Sequence, residues 1–273
     1  MNRNHGRVSI IMGVYNGELW VRKSIESIIA QTYKDWQFII CDDCSTDNTY
    51  AILEEYREQY PDKFVVLKNE KNMRLAATLN NCLAAAQGEY IARMDADDES
   101  LPERLQREVE FLDSHPEIDC VGTGRVIFDD EGEYGTCAEL EYPTKDTLIK
   151  HVPFAHPTIM MRASVYRALG GYTVSKETMR AEDLDLWFRF FAEGYKGYVL
   201  QEPLYKYRES KEDFKKRSFK TLLGAYRVKV RGFKLLHIPK RKWIWSLKAL
   251  VLAMVPRSIQ CKYHRKKYKK RNE

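Results

Sequence analysis

The chain has 273 residues, 44% of them hydrophobic and 31% charged, so it is long enough to bury a substantial core and is not a disordered or low-complexity chain. Its net charge of +6 conceals two opposed regions: Lys206 to Glu273 carries 23 Lys and Arg against 4 Asp and Glu, whereas the preceding 205 residues carry 22 against 35. Six irregularly spaced cysteines do not make a disulfide framework, and the pair Cys41-x-x-Cys44 has no second Cys or His pair to complete a zinc site. The polar start, Met1 to Arg7, runs into Val8 to Met12 without the leading apolar stretch of a secretory signal, so a cytosolic body is expected.

Val8 to Met12 reads as a buried strand ended by the turn-rich Gly13-Val14-Tyr15-Asn16-Gly17. A helix is predicted over Glu18 to Ala30, with Leu19, Val21, Ile25, Ile28 and Ile29 on its packed side. Trp36 to Cys41 is a second strand running into Asp42-Asp43, and Asp47 is placed to cap the helix that carries Ile52, Leu53 and Tyr56. Phe64 to Leu67, a helix near Ala76 to Ala86, and the strand Tyr90 to Met94 follow. Strands that alternate with helices, each a continuous apolar run, predict parallel pairing with helices on both faces. Ligands bind such sheets at the carboxyl ends of the strands. Three polar loops, at Tyr15-Asn16, Asp42-Asp43 and Asp95 to Asp97, are therefore expected along one edge.

The run Asp95-Ala96-Asp97-Asp98-Glu99 admits two readings on its own. It is either an oxygen-ligand site for Mg²⁺ or Mn²⁺ or a solvated turn leading the helix predicted over Pro102 to Leu112, with Asp98 and Glu99 as its leading residues. Downstream, Val121 to Phe128 reads as a strand, Asp129 to Gly135 as a hairpin-like loop, His156-Pro157-Thr158 as the start of an apolar run, and Ala163 to Leu169 as a helix stopped by Gly170-Gly171. Arg180 to Trp187 opens a helix through Ala192, its acids suited to a helix N-terminus.

From about Val8 to Tyr207 these motifs, in this order, resemble the family-2 glycosyltransferases of the GT-A fold, most closely the bacterial enzymes that build capsular, O-antigen or other surface polysaccharides. The stretches that carry the resemblance are Val14-Tyr15-Asn16, Asp42-Asp43 with Ser45-Thr46-Asp47, Asp95-Ala96-Asp97, and Glu182-Asp183 with Trp187. The resemblance implies a mixed, mostly parallel α/β sheet flanked by helices over residues 1–210, with residues 211–273 a basic helical appendage. It implies that Val14, Tyr15, Asn16, Asp42 or Asp43, and Asp95 surround a nucleotide sugar, most readily a UDP-sugar, and that Asp97 holds Mn²⁺ or Mg²⁺ on its diphosphate. Asp183 matches the general base of an inverting transfer, with Glu182 beside it, and His156 and Trp187 are expected near the diphosphate or the acceptor. Two departures stand out: Cys44 occupies a position where the family commonly has Gly, and Arg74 lies near another that is often Gly, where its guanidinium suits phosphate.

In the appendage a basic helix or helix pair is predicted from Asp213 to Leu236. The 13-residue run Trp243 to Val255, apolar but for Ser246 and Lys248, rises about 20 Å as a helix, too short for a bilayer core of roughly 30 Å. Led by two Trp and flanked by Lys240-Arg241-Lys242 and Lys262 to Arg271, it reads as an interfacial anchor for the anionic inner face of the membrane. A phosphate-tracking nucleic-acid module, with Tyr263 and Tyr268 stacking, fits the charge but not the Trp-led apolar run. A nucleotidyltransferase would need a Gly-rich basic loop near the N-terminus, which this sequence lacks. Against these alternatives, the resemblance implies a glycosyltransferase with a polyprenyl-linked or saccharide acceptor.

Overall fold

The computed structural model describes residues 7–209 and 219–247. The unbroken apolar runs become strands buried on both faces: β1 (Val8–Val14), then, beyond α1 (Val21–Ile29), β2 (Trp36–Asp42). After α2 (Thr49–Gln59), β3 (Phe64–Lys68) and α3 (Leu75–Ala85) comes β4 (Tyr90–Arg93). β1 pairs in parallel with β2 and β4, and β2 with β3, as the alternation of strands and helices predicts. Alternate residues along β1 serve opposite cores: Ile10 and Met12 pack with Ile25 and Leu53, Ile11 with Leu79 and Trp187.

The second half mixes directions. It runs through β5 (Glu99–Ser100), α4 (Arg104–Ser114), β6 (Cys120–Asp129), β7 (Gly132–Cys137) and the short α5 (Thr147–Lys150). A 3-10 turn at His156–Thr158 leads into β8 (Met160–Arg162), α6 (Ala163–Leu169), α7 (Glu182–Ala192) and β9 (Gly197–Arg208). β8 inserts antiparallel between β4 and β6, giving the order β3-β2-β1-β4-β8-β6-β9-β5, with β7 paired to the outer part of β6.

Some boundaries depart from expectation for identifiable reasons. α1 starts at Val21, not Glu18, because Gly17 to Trp20 closes a turn in which the Trp20 and Val21 N–H groups share the Gly17 carbonyl. Leu19, expected on the packed side, is accordingly 75% exposed. The helix expected at Pro102 begins at Arg104 because the chain first pairs Glu99 and Ser100 with β9. β9 itself was not predicted: Pro203 interrupts its pattern, and the strand survives through a bulge opposite Gly124, where a Cβ would stand 2.9 Å from the Glu202 carbonyl oxygen.

The described part of the basic region is α8 (Phe219–Leu235) and a 3-10 turn at Lys240–Leu247. α8 lies close on α7, with no room for a Cβ at Gly232, which would meet the Phe188 ring at 2.2 Å. Phe233 packs edge-on to Phe188, Trp243 packs on Phe233, and Val228, Leu236 and Ile238 join the core that holds Trp187. The expected anchor lies outside the described residues from Lys248 onward. Among the described residues no helix is long and apolar enough to cross a membrane.

Candidate active site

Parallel register brings the three strand ends together: Val14 lies opposite Asp42, and Ile11 opposite Arg93. The loops after β1 and β2 are stitched to each other. Asn16, at φ 52°, donates its N–H to Ser45 Oγ (2.9 Å) and accepts the Thr46 N–H on Oδ1 (2.8 Å). Asn is among the residues that tolerate this left-handed region.

Asp42 is wholly buried, and its Oδ2 accepts the Ser45 N–H at 3.0 Å. Asp43 accepts three donors: Asn69 Nδ2 (2.8 Å) and the Met73 N–H (2.7 Å) on Oδ1, and the Arg74 N–H (2.9 Å) on Oδ2. These bonds fix the turn in which Arg74 stands at φ 72° with its side chain exposed.

At the end of β4 the buried Arg93 guanidinium forks across Asp95 at 2.6 and 2.8 Å. Tyr205 Oη accepts the Asp95 N–H (3.2 Å), and Ser24 Oγ donates to the Asp95 carbonyl (3.0 Å), so the turn is held from both sides. Asp95 and Asp97 line a cavity of about 740 Å³ together with Val14, Tyr15, Asn16 and Arg208. Behind it, Asp98 is buried, accepts the Arg208 N–H at 2.7 Å on Oδ1, and has no hydrogen-bond partner on Oδ2. Burial, then Asp97, then Asp95 push the Asp98 carboxyl well above the usual range. Asp98 and Glu99 are thus not residues leading a helix: one underlies the cavity and the other begins β5.

Asp95 and Asp97 beside the unpartnered Asp98 Oδ2 make an all-oxygen surrounding, which suits Mg²⁺ or Mn²⁺ rather than zinc. Among the described residues no three His, Cys, Asp or Glu side chains converge as a ready-made metal cage. A cation on Asp97 would take its other ligands from phosphate and water, which is the habit of Mg²⁺.

The second acidic group opens α7, where the helix N-terminus favours negative charge. Asp183 Oδ1 accepts the Leu184 N–H at 2.7 Å. Burial raises the Asp183 carboxyl above the usual range, with the Arg93 cation opposing the rise. Glu182 is raised by burial and then by Asp183. Arg93 therefore acts electrostatically on Asp95 and on both acids of α7.

Two residues expected near the diphosphate or the acceptor are buried. Trp187 is fully buried, its ring against Phe154 and Phe190, and offers no surface to an acceptor. His156 is buried with Nε2 at 2.8 Å from Tyr172 Oη, and burial followed by Arg93 holds its pKa well below the ordinary value; it is a neutral core residue. Two cations were missed. Arg93 was legible as a charge closing the apolar strand Tyr90-Ile91-Ala92. Arg208 lies on the unpredicted β9; it stacks on Trp20 at 3.8 Å and pairs with Asp130 at 2.6 Å while lining the cavity.

A mixed sheet with carboxylates at its parallel strand ends and an acidic pair opening a neighbouring helix is of the GT-A type. The chain belongs to glycosyl transferase family 2: the profile described as "Glycosyl transferase family 2" matches residues 9–170, and "Glycosyl transferase family group 2" matches residues 90–260. It is 45% identical over 267 residues to a Bacillus subtilis protein named as a glycosyltransferase, EpsE, covering 98% of this chain and 96% of that one. It is 33% identical over 193 residues to the O-antigen biosynthesis glycosyltransferase WbnJ of Escherichia coli, covering 68% and 72%. Among solved structures, S. aureus TarS 1-349 in complex with UDP superposes with a TM-score of 0.67 at 21% identity, covering 94% of this chain and 78% of that one. The mannosyltransferase PcManGT from Pyrobaculum calidifontis, in complex with GDP-Man and Mn²⁺, gives 0.61 at 18%, covering 95% and 79%.

Proposed function

We propose that this glycosyltransferase moves a hexosyl or N-acetylhexosaminyl group from a nucleotide-diphosphate sugar, most readily a UDP-sugar, to a lipid-linked or saccharide acceptor of a cell-surface polysaccharide, inverting the anomeric centre. The observation that carries this reading is the separation of the acids: Asp95 and Asp97 line the strand-end cavity, Glu182 and Asp183 open α7, and Arg93 acts on both sets. The UDP in TarS, the GDP-Man and Mn²⁺ in PcManGT and the naming of WbnJ for O-antigen synthesis support the donor, metal and product classes.

In this reading Tyr15, Asn16 and Asp43 border the nucleotide, Asp95 the ribose, and Arg74 and Arg208 the diphosphate. Mn²⁺ or Mg²⁺ on Asp97 supplies positive charge to the diphosphate leaving group when bound. Asp183 takes the proton of the acceptor hydroxyl as that oxygen bonds to the anomeric carbon. The bond from that carbon to the diphosphate oxygen breaks, and the nucleoside diphosphate leaves with the electron pair. Glu182 keeps the site acidic beside the base.

Purified protein with Mn²⁺, screened against UDP-, GDP- and dTDP-sugars for binding and slow release of nucleoside diphosphate, is expected to select one nucleotide. EDTA or Asp97→Ala should abolish the release, and silence across the whole panel rejects the reading. Peripheral attachment to the inner membrane face is part of it: Ile244 and Trp245 are 67% and 41% exposed beside Lys240 to Lys242. Ile244→Asp with Trp245→Asp should reduce co-sedimentation with anionic vesicles, and undiminished binding would remove the described turn from the contact.

A further inference from the structure

A second cavity, of about 490 Å³, lies between the turn fixed by Asp43 and the loop that leads into α7. Its walls are Met73, Leu75 and Ala76 on one side and Val174 and Met179 on the other, with Glu182 in the lining. Met73 and Val174 are left 41% and 59% exposed. Arg74, Lys176 and Arg180 also line it, and among the described residues none of the three side chains has a carboxylate partner.

The charge imbalance has a structural cause. Glu177 is the single acid of residues 173–181 and does not line the cavity. It is drawn toward α8, where Arg227 and Arg231 stand 3.7 and 4.0 Å from its carboxylate. α8 reaches it because Gly224 leaves no side chain in the way: a Cβ there would meet the Glu177 carbonyl oxygen at 2.7 Å. Arg180, at φ 62°, turns the chain between this loop and the acidic pair. The result is a small cavity with apolar walls, two loop cations in addition to Arg74, and the side chain next to the proposed base. Solvated surface cations need no such walls; an amphiphile with an anionic head does.

We propose that this cavity takes the phosphorylated end of a lipid-linked acceptor, with the first part of an apolar chain against Met73, Val174 and Met179 and the phosphate on Lys176 and Arg180. The inference rests on the glycosyltransferase reading and deepens it by choosing an alkyl-linked phosphate over a free saccharide as the acceptor class.

Titration calorimetry on the full chain tests it with farnesyl diphosphate, farnesol and inorganic pyrophosphate, in EDTA so that no diphosphate is held through a cation at Asp97. Farnesyl diphosphate should bind at least about tenfold more tightly than either fragment, because charge-assisted bonds and apolar burial each contribute on that order. The double variant Lys176→Ala, Arg180→Ala and the separate variant Val174→Asp should each weaken it by about tenfold, with folding checked by thermal melting. Pyrophosphate binding equal to that of farnesyl diphosphate would reduce the cavity to an anion site, equal farnesol binding to an apolar hole, and wild-type affinity in both variants would place the probe elsewhere; each overturns the proposal. Probe binding without turnover of any nucleotide sugar would leave the cavity assigned and remove the transferase reading. Turnover onto a free saccharide with no probe binding would do the reverse.

Discussion

Asp43 and Asp183 are both acids at an element end beside the same proposed reaction, yet their surroundings differ in kind. Asp43 accepts three N–H donors and holds a turn, whereas Asp183 accepts the N–H of its neighbour Leu184 and is raised above the ordinary carboxylate range by burial. The three bonds to Asp43 fix its position. Burial at Asp183 leaves a carboxylate whose affinity for a proton is increased, which is what a base needs when it works near neutral pH. In the proposed reaction, the strand-end half of the site would serve rigidity and the α7 half proton transfer, with Arg93 acting on both.

The largest effect should come from removing the proton acceptor. Asp183→Asn keeps the size and can still accept the Leu184 N–H, so melting should change little while kcat falls by about a thousandfold, within the usual range for general-base loss. Near-wild-type turnover would assign the base elsewhere, Glu182 first.

A smaller effect should follow from Arg93→Met. Arg93 opposes the rise at Asp183 and Glu182, while Asp95 and the neighbouring acid act the other way and Tyr172 stands close by. The base must be ionised to act, so activity is lost as pH falls through its raised pKa. Removing the cation raises that pKa further, and the acidic limb of kcat/KM should move to higher pH. Asp95 also loses its bidentate partner, and the KM for the donor should rise by roughly tenfold. An unmoved limb would mean that Arg93 acts on Asp95 alone.

Much of this arrangement was readable from residue order. Apolar runs alternating with helices fixed the parallel half of the sheet, and parallel pairing then required Asp42-Asp43 and the Asp95 run to share an edge. The antiparallel half was less legible because its long strand, β9, contains Pro203 and is kept in the sheet by a bulge against Gly124, a tertiary device without a periodic signature. Arg208 was lost with it. The burial of His156 and Trp187, whose rings pack edge to face, was not legible because motif position says nothing about side-chain burial.

Backbone geometry shows what the departures from Gly cost and gives the smallest prediction. Cys44 and Arg74 both stand in the left-handed region, at φ 63° and 72°, where Gly is the least strained residue. A side chain there costs about 1–2 kcal/mol. Gly in its place raises the entropy lost on folding by about 0.5–1 kcal/mol, and Cys44→Gly also gives up the weak Sγ contact to the Glu70 carbonyl at 3.6 Å. The balance favours Cys44→Gly by about 0.5 kcal/mol, or a rise of roughly 1–2 °C in melting temperature for a chain of this size. Donor affinity should not change, since the loop's hold on β1 runs through Ser45 and Thr46 rather than Cys44. A fall in melting temperature would show that the Cys44 side chain stabilises the Asp43 turn by more than its backbone strain costs.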